Sequence, residues 1–336
     1  MTRSIGPAAA RPERRHWAQL EERGVYLCLR ATLLSYRLLG RPGFSLLLHL
    51  IIAYYFLFNA AARRASLAFL TRVYAQPAGR AMLEGRPGWR HCFRHMLAFG
   101  EAILDKVVTW TGDIRLDDLD LHNHRVFESL CEQGRGAVLI ASHLGNVEIA
   151  RALGSQQLGL RINVLVHTRH SETFNRVMRK VSARSTMALL QVTDVGPDTA
   201  IMLRERVARG EFVVIVGDRT PAGGSARVSW VPFLGRPAPF PQGPFYLAVM
   251  LKCPLLLIFC LKHEGRYRLC VEPFADATDL PRRARGQIVE RWIGRYVARL
   301  EYFCLRYPYQ WFNFFDFWAQ AEAKAAPGGL ARPDES

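Results

Sequence analysis

Residues 137–148 read AVLIASHLGNVE, and this stretch decides the fold class. Its first half is apolar or small and predicts a buried strand, while the glycine, asparagine and glutamate predict a turn and the start of a helix. Similar runs predict further strands at 162–166, 187–192, 212–217, 255–260 and 267–272. Helical periodicity lies between and after them, at 147–153, 172–181, 198–208, 244–252 and about 283–306. Apolar strands that alternate with helices predict an α/β fold, with a mostly parallel central sheet flanked by helices and a C-terminal helix.

The composition bounds the class of protein. Of 336 residues, 50% are hydrophobic, which excludes a disordered chain. Lys and Arg number 45 against 29 Asp and Glu, a net charge of +16. A positive surface attracts nucleic acid, anionic lipid or an acidic carrier protein, and composition does not choose among them. The 7 Cys form no CxxC pair, so we expect reduced thiols and no metal site.

The region before the sheet has two distinct parts. Residues 1–15 are polar and basic and are expected to be disordered. Residues 44–62 carry no charge, and a helix of this length spans about 28 Å, close to the roughly 30 Å of a bilayer's hydrocarbon layer. We therefore expect a membrane-associated helical region over 16–90, although a buried core helix would read alike. The α/β domain is expected over 91–318, followed by a disordered tail at 319–336.

The turn after the first strand carries candidate chemistry. Five positions along one straight helix would leave His143 and Glu148 about 140° apart. With His143 at the end of a strand, Gly145 and Asn146 in the turn, and Glu148 in the first helical turn, the two side chains can meet. We expect Glu148 to accept a hydrogen bond from one ring nitrogen, so that the other can take a proton from an alcohol. The alternative is a polar strand-end histidine beside an ordinary helix start.

A second polar pair, Asp218 and Arg219, follows the strand predicted at 212–217. Ligands of open α/β sheets bind beyond the carboxyl ends of the strands, where both this pair and His143 are expected. Arg219 could hold a phosphate-like headgroup, with Asp218 orienting the guanidinium. A surface ion pair of small energetic value is the alternative.

Four motifs occur in order over most of 90–315: HLGNVE at 143–148, VPFLGRPA at 231–238, Gly243 before a helix, and RYPYQW at 306–311. With them the chain resembles the lysophospholipid acyltransferase superfamily. The resemblance is closest to its late lipid A acyltransferase branch and to related acyltransferases of aryl-polyene or glycolipid pathways.

The resemblance implies roles for particular residues. His143 matches the family's catalytic base and Glu148 its acidic partner. The candidate substrate-binding residues are Gly145, Asn146, Arg169, Asp218, Arg219 and Gly243. The implied reaction is transfer of a fatty acyl chain from a thioester, carried by acyl carrier protein or CoA as co-substrate, to a hydroxyl of a lipid or glycolipid. It needs no separate cofactor, and the implied place is the cytoplasmic face of the bacterial inner membrane.

Three other functions stay open. A thioesterase would use the same two side chains with water as the acceptor, and an N-acyltransferase would use an amine. A basic membrane protein without catalysis could bind anionic lipid or nucleic acid. Nucleic acid is not favoured, because the aromatic residues of 302–318 lie beside apolar residues rather than among arginines.

Overall fold

The computed structural model describes residues 34–36, 38, 40, 43–111, 114–123, 125–166, 188–191, 197–220 and 227–319. Over these ranges the strands are β1 (Leu119–His122), β2 (Val138–Ala141), β3 (Ile162–Val166), β4 (Ala188–Gln191), β5 (Phe212–Val216), β6 (Val228–Phe233), β7 (Arg236–Pro241), β8 (Pro254–His263) and β9 (Arg266–Asp276). The main sheet has the order β1-β9-β8-β2-β5-β3-β4. Strands β8, β2, β5, β3 and β4 are parallel, whereas β9 and β1 run in the opposite direction. The predicted α/β fold with a mostly parallel sheet is confirmed.

Helices cover both faces of this sheet. Over the described ranges the helices are α1 (Gly43–Phe58), α2 (Ala60–Ala75), α3 (Pro77–Met82), α4 (Trp89–Thr111), α5 (Arg125–Glu132), α6 (Val147–Gln157), α7 (Pro197–Ala208), α8 (Gly243–Leu251) and α9 (Arg285–Arg306). Successive residues of β2 point to opposite faces, as the strand period of two requires. Val138 and Ile140 pack in a core with α7, α8 and α9, whereas Leu139 and Ala141 pack in a second core with α5 and α6. The sheet is therefore buried on both faces, which explains its continuous apolar strands.

The apolar segment expected to form one helix over about 44–62 is broken at Asn59. Helix α1 ends at Phe58, α2 begins at Ala60, and the two are bent by 95°. The Asn59 side chain accepts a hydrogen bond from the amide of Ala62 at 3.0 Å, so it caps α2 and favours a new helix start. In the part of the chain that is described, no single helix is long and apolar enough to cross a bilayer; α1 and α2 are so only as a bent pair.

Helix α1 buries one side and exposes the other. Phe44, Leu48 and Ile52 pack against α4, where they contact a cluster that includes Met96 and Leu104. The opposite side exposes the apolar side chains Leu46, Leu50, Ile51, Tyr54, Leu57 and Phe58. A contiguous apolar surface of this kind is typical of a protein or membrane contact.

The motif at 231–238 forms the hairpin of β6 and β7, which sequence periodicity did not indicate. Leu234 and Gly235 form its turn, with φ of 50° and 80°. Both strands contain prolines, which lack an amide donor, so the sequence does not have the usual pattern of a strand.

Several predictions concern residues that the structure does not describe. These residues are the segments 1–15 and 320–336, the helix predicted at 172–181, and Arg169.

Candidate active site

His143 and Asp218 meet at the carboxyl edge of the sheet. Strands β2 and β5 pair in parallel with Ala141 opposite Val216, so the residues two positions beyond each lie side by side. Nδ1 of His143 is 2.8 Å from Oδ1 of Asp218, and the His143 amide donates to Oδ2 at 2.8 Å. Asp218 is fully buried, whereas 29% of the His143 side chain is exposed. The pair therefore joins a buried carboxylate to an accessible imidazole.

The surroundings of Asp218 favour its ionised form. Burial alone would raise the pKa of this carboxyl group, yet the nearby His143 and three hydrogen bonds hold the pKa below its usual value. The third donor is Nε1 of Trp311, at 2.9 Å from Oδ2. Because an ionised carboxylate only accepts, the proton between the two residues belongs on Nδ1 of His143. Nε2, with no hydrogen-bond partner among the described residues, is then the basic nitrogen.

The turn after His143 depends on a glycine. Gly145 has a φ of +73°, and a Cβ there would lie 2.1 Å from the carbonyl oxygen of Cys260. The amides of Gly145 and Asn146 donate to the carbonyls of Gln310 and Cys260, at 2.8 Å and 2.7 Å. Asn146 precedes α6, but its side chain does not cap the helix and donates instead to the carbonyl of Ala102 at 2.7 Å. The turn is thus tied to β8 and to the C-terminal segment.

The hydrogen bond expected between Glu148 and His143 is a wrong prediction, because the ring of His143 bonds to Asp218 instead. The Glu148 carboxylate accepts from Nε of Arg151 at 3.0 Å and lies 3.6 Å from Nζ of Lys106. Burial opposes ionisation, but these two cations lower the pKa of Glu148 to about 2. The physical reason is local, because Arg151 lies one helical turn away on the same face. Glu148 begins α6 as part of an ionic cluster.

Arg219 is directed toward the C-terminal segment. Its Nε donates to Oδ1 of Asn313 at 2.5 Å and its Nη2 to the carbonyl of Phe312 at 2.7 Å. These bonds use donors that were expected to hold a headgroup. Gly243 begins α8 as expected, and a Cβ there would contact nothing within 4 Å.

A cavity of about 350 Å³ adjoins the turn at Gly145 and Asn146. Its polar wall includes Lys262 and Tyr267, which both contact the Asp105 carboxylate, at 2.9 Å and 2.7 Å. The rest of the lining is largely apolar and includes Leu97 and Phe312, so the cavity reaches the turn after His143 but is not lined by the His143 ring itself. Within the described ranges, no three His, Cys, Asp or Glu side chains are placed to hold a metal ion.

Trp311 is a site residue that the sequence alone did not predict. The RYPYQW motif ends on Trp311, but no local pattern indicates that its indole reaches a carboxylate 93 residues earlier. Only the packing of the C-terminal segment against the end of the sheet brings the two together.

A buried carboxylate beside an accessible histidine, placed where open α/β sheets bind ligands, is an arrangement that suits general acid–base chemistry. The family model for bacterial lipid A biosynthesis acyltransferases matches residues 89–318, and the chain belongs to this family. The match covers the whole sheet and the residues of the site. A comparison with curated proteins found no match.

Proposed function

We propose that this protein transfers a fatty acyl chain from an acyl thioester to a hydroxyl group of a lipid or glycolipid acceptor, with His143 as general base. One observation carries the proposal: in a chain of a lipid acyltransferase family, Nδ1 of His143 is held 2.8 Å from a buried carboxylate. Nε2 is then left to accept a proton. The same pair also suits water or an amine as acceptor, and these are outcomes of the test below.

The chemistry balances without a cofactor. Nε2 of His143 takes the proton of the acceptor hydroxyl as its oxygen attacks the thioester carbonyl. Asp218 stabilises the imidazolium that forms. This attack forms the new C–O bond and the tetrahedral oxyanion. Collapse of the intermediate restores the carbonyl and breaks the C–S bond, and the leaving thiolate takes the proton from Nε2. We assign the backbone amides of Val147 and Glu148 as the hydrogen-bond donors to the oxyanion. They begin α6, and the first amides of a helix have no carbonyl within the helix to bond.

We assign the orienting role to Asp218 and a different one to Glu148. The contacts of Glu148 with Arg151 and Lys106 join the start of α6 to α4. Glu148 therefore supports the turn that carries His143. Arg169 and Gly243 are kept as proposed substrate-binding positions on the strength of the family resemblance. Arg219 contributes by fixing the C-terminal segment.

We further propose that α1 attaches the protein to the membrane. Its outer side exposes large apolar residues, among them Leu50, Tyr54 and Phe58, in a chain whose net charge of +16 attracts anionic lipid. The bend at Asn59 suits a helix that enters one leaflet.

We propose the cytoplasmic face of the bacterial inner membrane as the location of the protein. We propose acyl carrier protein, an acidic partner, as the carrier of the donated acyl chain.

Membrane attachment is tested by flotation with vesicles of anionic phospholipid. Leu50→Asp combined with Phe58→Asp should leave most of the protein unbound, because both side chains are exposed on α1. Ile201→Asp, an equally exposed apolar residue on α7, is the matched control and should float like the wild type. Equal flotation of all three proteins would contradict the proposal.

The reaction is tested with purified protein, an isotope-labelled acyl thioester of acyl carrier protein, and a lipid extract from a Gram-negative bacterium. Mass spectrometry should detect an ester-linked acylated lipid with the wild type and none with His143→Ala. Release of free fatty acid alone would identify a thioesterase, and an amide-linked product an N-acyltransferase. Either result would overturn the proposed O-acyl transfer.

A further inference from the structure

The C-terminal segment 310–313 lies along the turn that carries His143. Leu144 and Trp311 form an antiparallel bridge. The amide of Phe312 donates to the carbonyl of His143 at 3.0 Å, and the carbonyl of Gln310 accepts from the amide of Gly145. The backbone on both sides of the Leu144–Trp311 bridge is thus fixed by this segment.

The Trp311 side chain continues the same connection to Asp218. The indole is fully buried, with Phe69, Phe233 and Phe317 around it at centroid distances of 4.9, 5.2 and 4.9 Å. Its Nε1 donates to Oδ2 of Asp218 at 2.9 Å, and indole can only donate. This bond therefore favours the ionised carboxylate and fixes its plane.

The backbone of Trp311 is held from the other side by His95. Nε2 of His95 is 2.9 Å from the Trp311 carbonyl oxygen, and Nδ1 is 2.9 Å from Oγ of Ser66. Since a carbonyl only accepts, the proton of this buried histidine belongs on Nε2. A continuous series of hydrogen bonds thus joins α2, α4 and the C-terminal segment to the His143–Asp218 pair.

We infer that Trp311 is a positioning residue of the active site, an inference that rests on the function proposed above. Trp311 does not act on the substrate. It holds Asp218 ionised and oriented, so that the proton of His143 stays on Nδ1 and the basic Nε2 faces the substrate.

The first test does not depend on catalysis. Trp311→Phe keeps most of the aromatic packing and removes the donor. Trp318→Phe is the matched control, because Trp318 is also buried while its Nε1 has no hydrogen-bond partner in the described part of the chain. NMR on protein labelled with 15N-histidine measures exchange of the Nδ1 proton of His143, assigned with His143→Ala. We expect exchange about tenfold faster in Trp311→Phe, the effect of losing one hydrogen bond, and unchanged exchange in Trp318→Phe.

The second test uses acyl-transfer kinetics. We expect Trp311→Phe to lower kcat about tenfold with KM nearly unchanged. In a protein that already carries Asp218→Asn, the same change should lower kcat by less than about twofold. Trp318→Phe should keep wild-type kcat.

The outcomes distinguish a failure of the positioning role of Trp311 from a failure of the proposed acyl transfer. Unchanged proton exchange in Trp311→Phe would overturn the inference, as would an equal loss of kcat in both Asp218 backgrounds. A wild type without acyl transfer would overturn the proposed function, and the NMR result would still decide the role of Trp311.

Discussion

The carboxylate that contacts His143 belongs to Asp218, 75 residues further along the chain, with Nδ1 and Oδ1 2.8 Å apart. Glu148, five residues from His143, faces Arg151 and Lys106 instead. The two acidic residues thus have different tasks, one in orienting the base and one in holding the start of α6, and variants at each should fail in different ways.

Asp218→Asn should lower kcat by about 100-fold, because an amide of the same shape cannot stabilise the imidazolium. Steady-state kinetics with the acyl thioester measures this loss. Asp120→Asn is the control: its carboxylate lies 2.9 Å from Nε2 of His122 in an exposed pair, and its loss should not change kcat. A near-normal kcat in Asp218→Asn would show that this carboxylate does not support the base.

Glu148→Gln should lower the free energy of unfolding by about 2–3 kcal/mol, because the variant removes the charge that Arg151 and Lys106 share with Glu148. Denaturant unfolding measures the change, with exposed Glu84→Gln as a control of little effect. The folded pKa of about 2 lies below the ordinary 4.5, so the contribution of Glu148 is present above pH 4.5 and is lost as pH falls toward 2. The difference in unfolding free energy between variant and wild type should therefore become smaller on acidification. A difference that stays the same would contradict a stabilising role for this ion cluster.

Gly145→Ala should destabilise the protein by about 3 kcal/mol or more, because φ is +73° and the new Cβ would overlap the Cys260 carbonyl. Gly294→Ala is the matched control, since it lies inside α9 with open space around it. That change should stabilise by about 0.5–1 kcal/mol through helix propensity. Thermal unfolding compares the two, and equal midpoints would mean that the turn tolerates a side chain.

His95 should make the protein less stable in mild acid. Burial lowers its pKa to about 4, against the hydrogen bond to the Trp311 carbonyl, which raises it. The unfolded chain, with a pKa near 6.5, therefore binds the proton first as pH falls. The free energy of unfolding should drop by up to about 1.4 kcal/mol per pH unit between those values.

His95→Gln provides the comparison for that acid dependence. Its amide can still donate to the Trp311 carbonyl but does not titrate, so the unfolding free energy should depend on pH less steeply from 6.5 to 4. The same slope in both proteins would mean that His95 is protonated in the folded state.

Much of the fold could be predicted, because strands buried on both faces of a sheet consist of continuous apolar runs in the sequence. Strand β2 and the helix start at Val147 were readable from a short apolar run and a turn. The hairpin of β6 and β7 was not, since its prolines remove the usual strand pattern. The helix break at Asn59 had a readable signal, as asparagine is a good helix cap, but the apolar run around it outweighed that signal.

The site was predictable only in part. His143 and Asp218 could be placed at one edge of the sheet because parallel strands end there together. Which carboxylate reaches the ring could not be predicted, although Arg151, three residues after Glu148, was a sign of a competing partner. The contacts of Trp311 with Asp218 and His95 depend on long-range packing, which leaves no periodic trace in the sequence.

The rate of the chemical step in His143→Ala tests the central claim most directly. Single turnovers with labelled acyl thioester and excess protein separate this step from substrate binding and product release. We predict a rate lower by about 100- to 10,000-fold than in the wild type, with unchanged folding and vesicle binding. A rate within a fewfold of the wild type would contradict a mechanism in which His143 removes the proton from the acceptor.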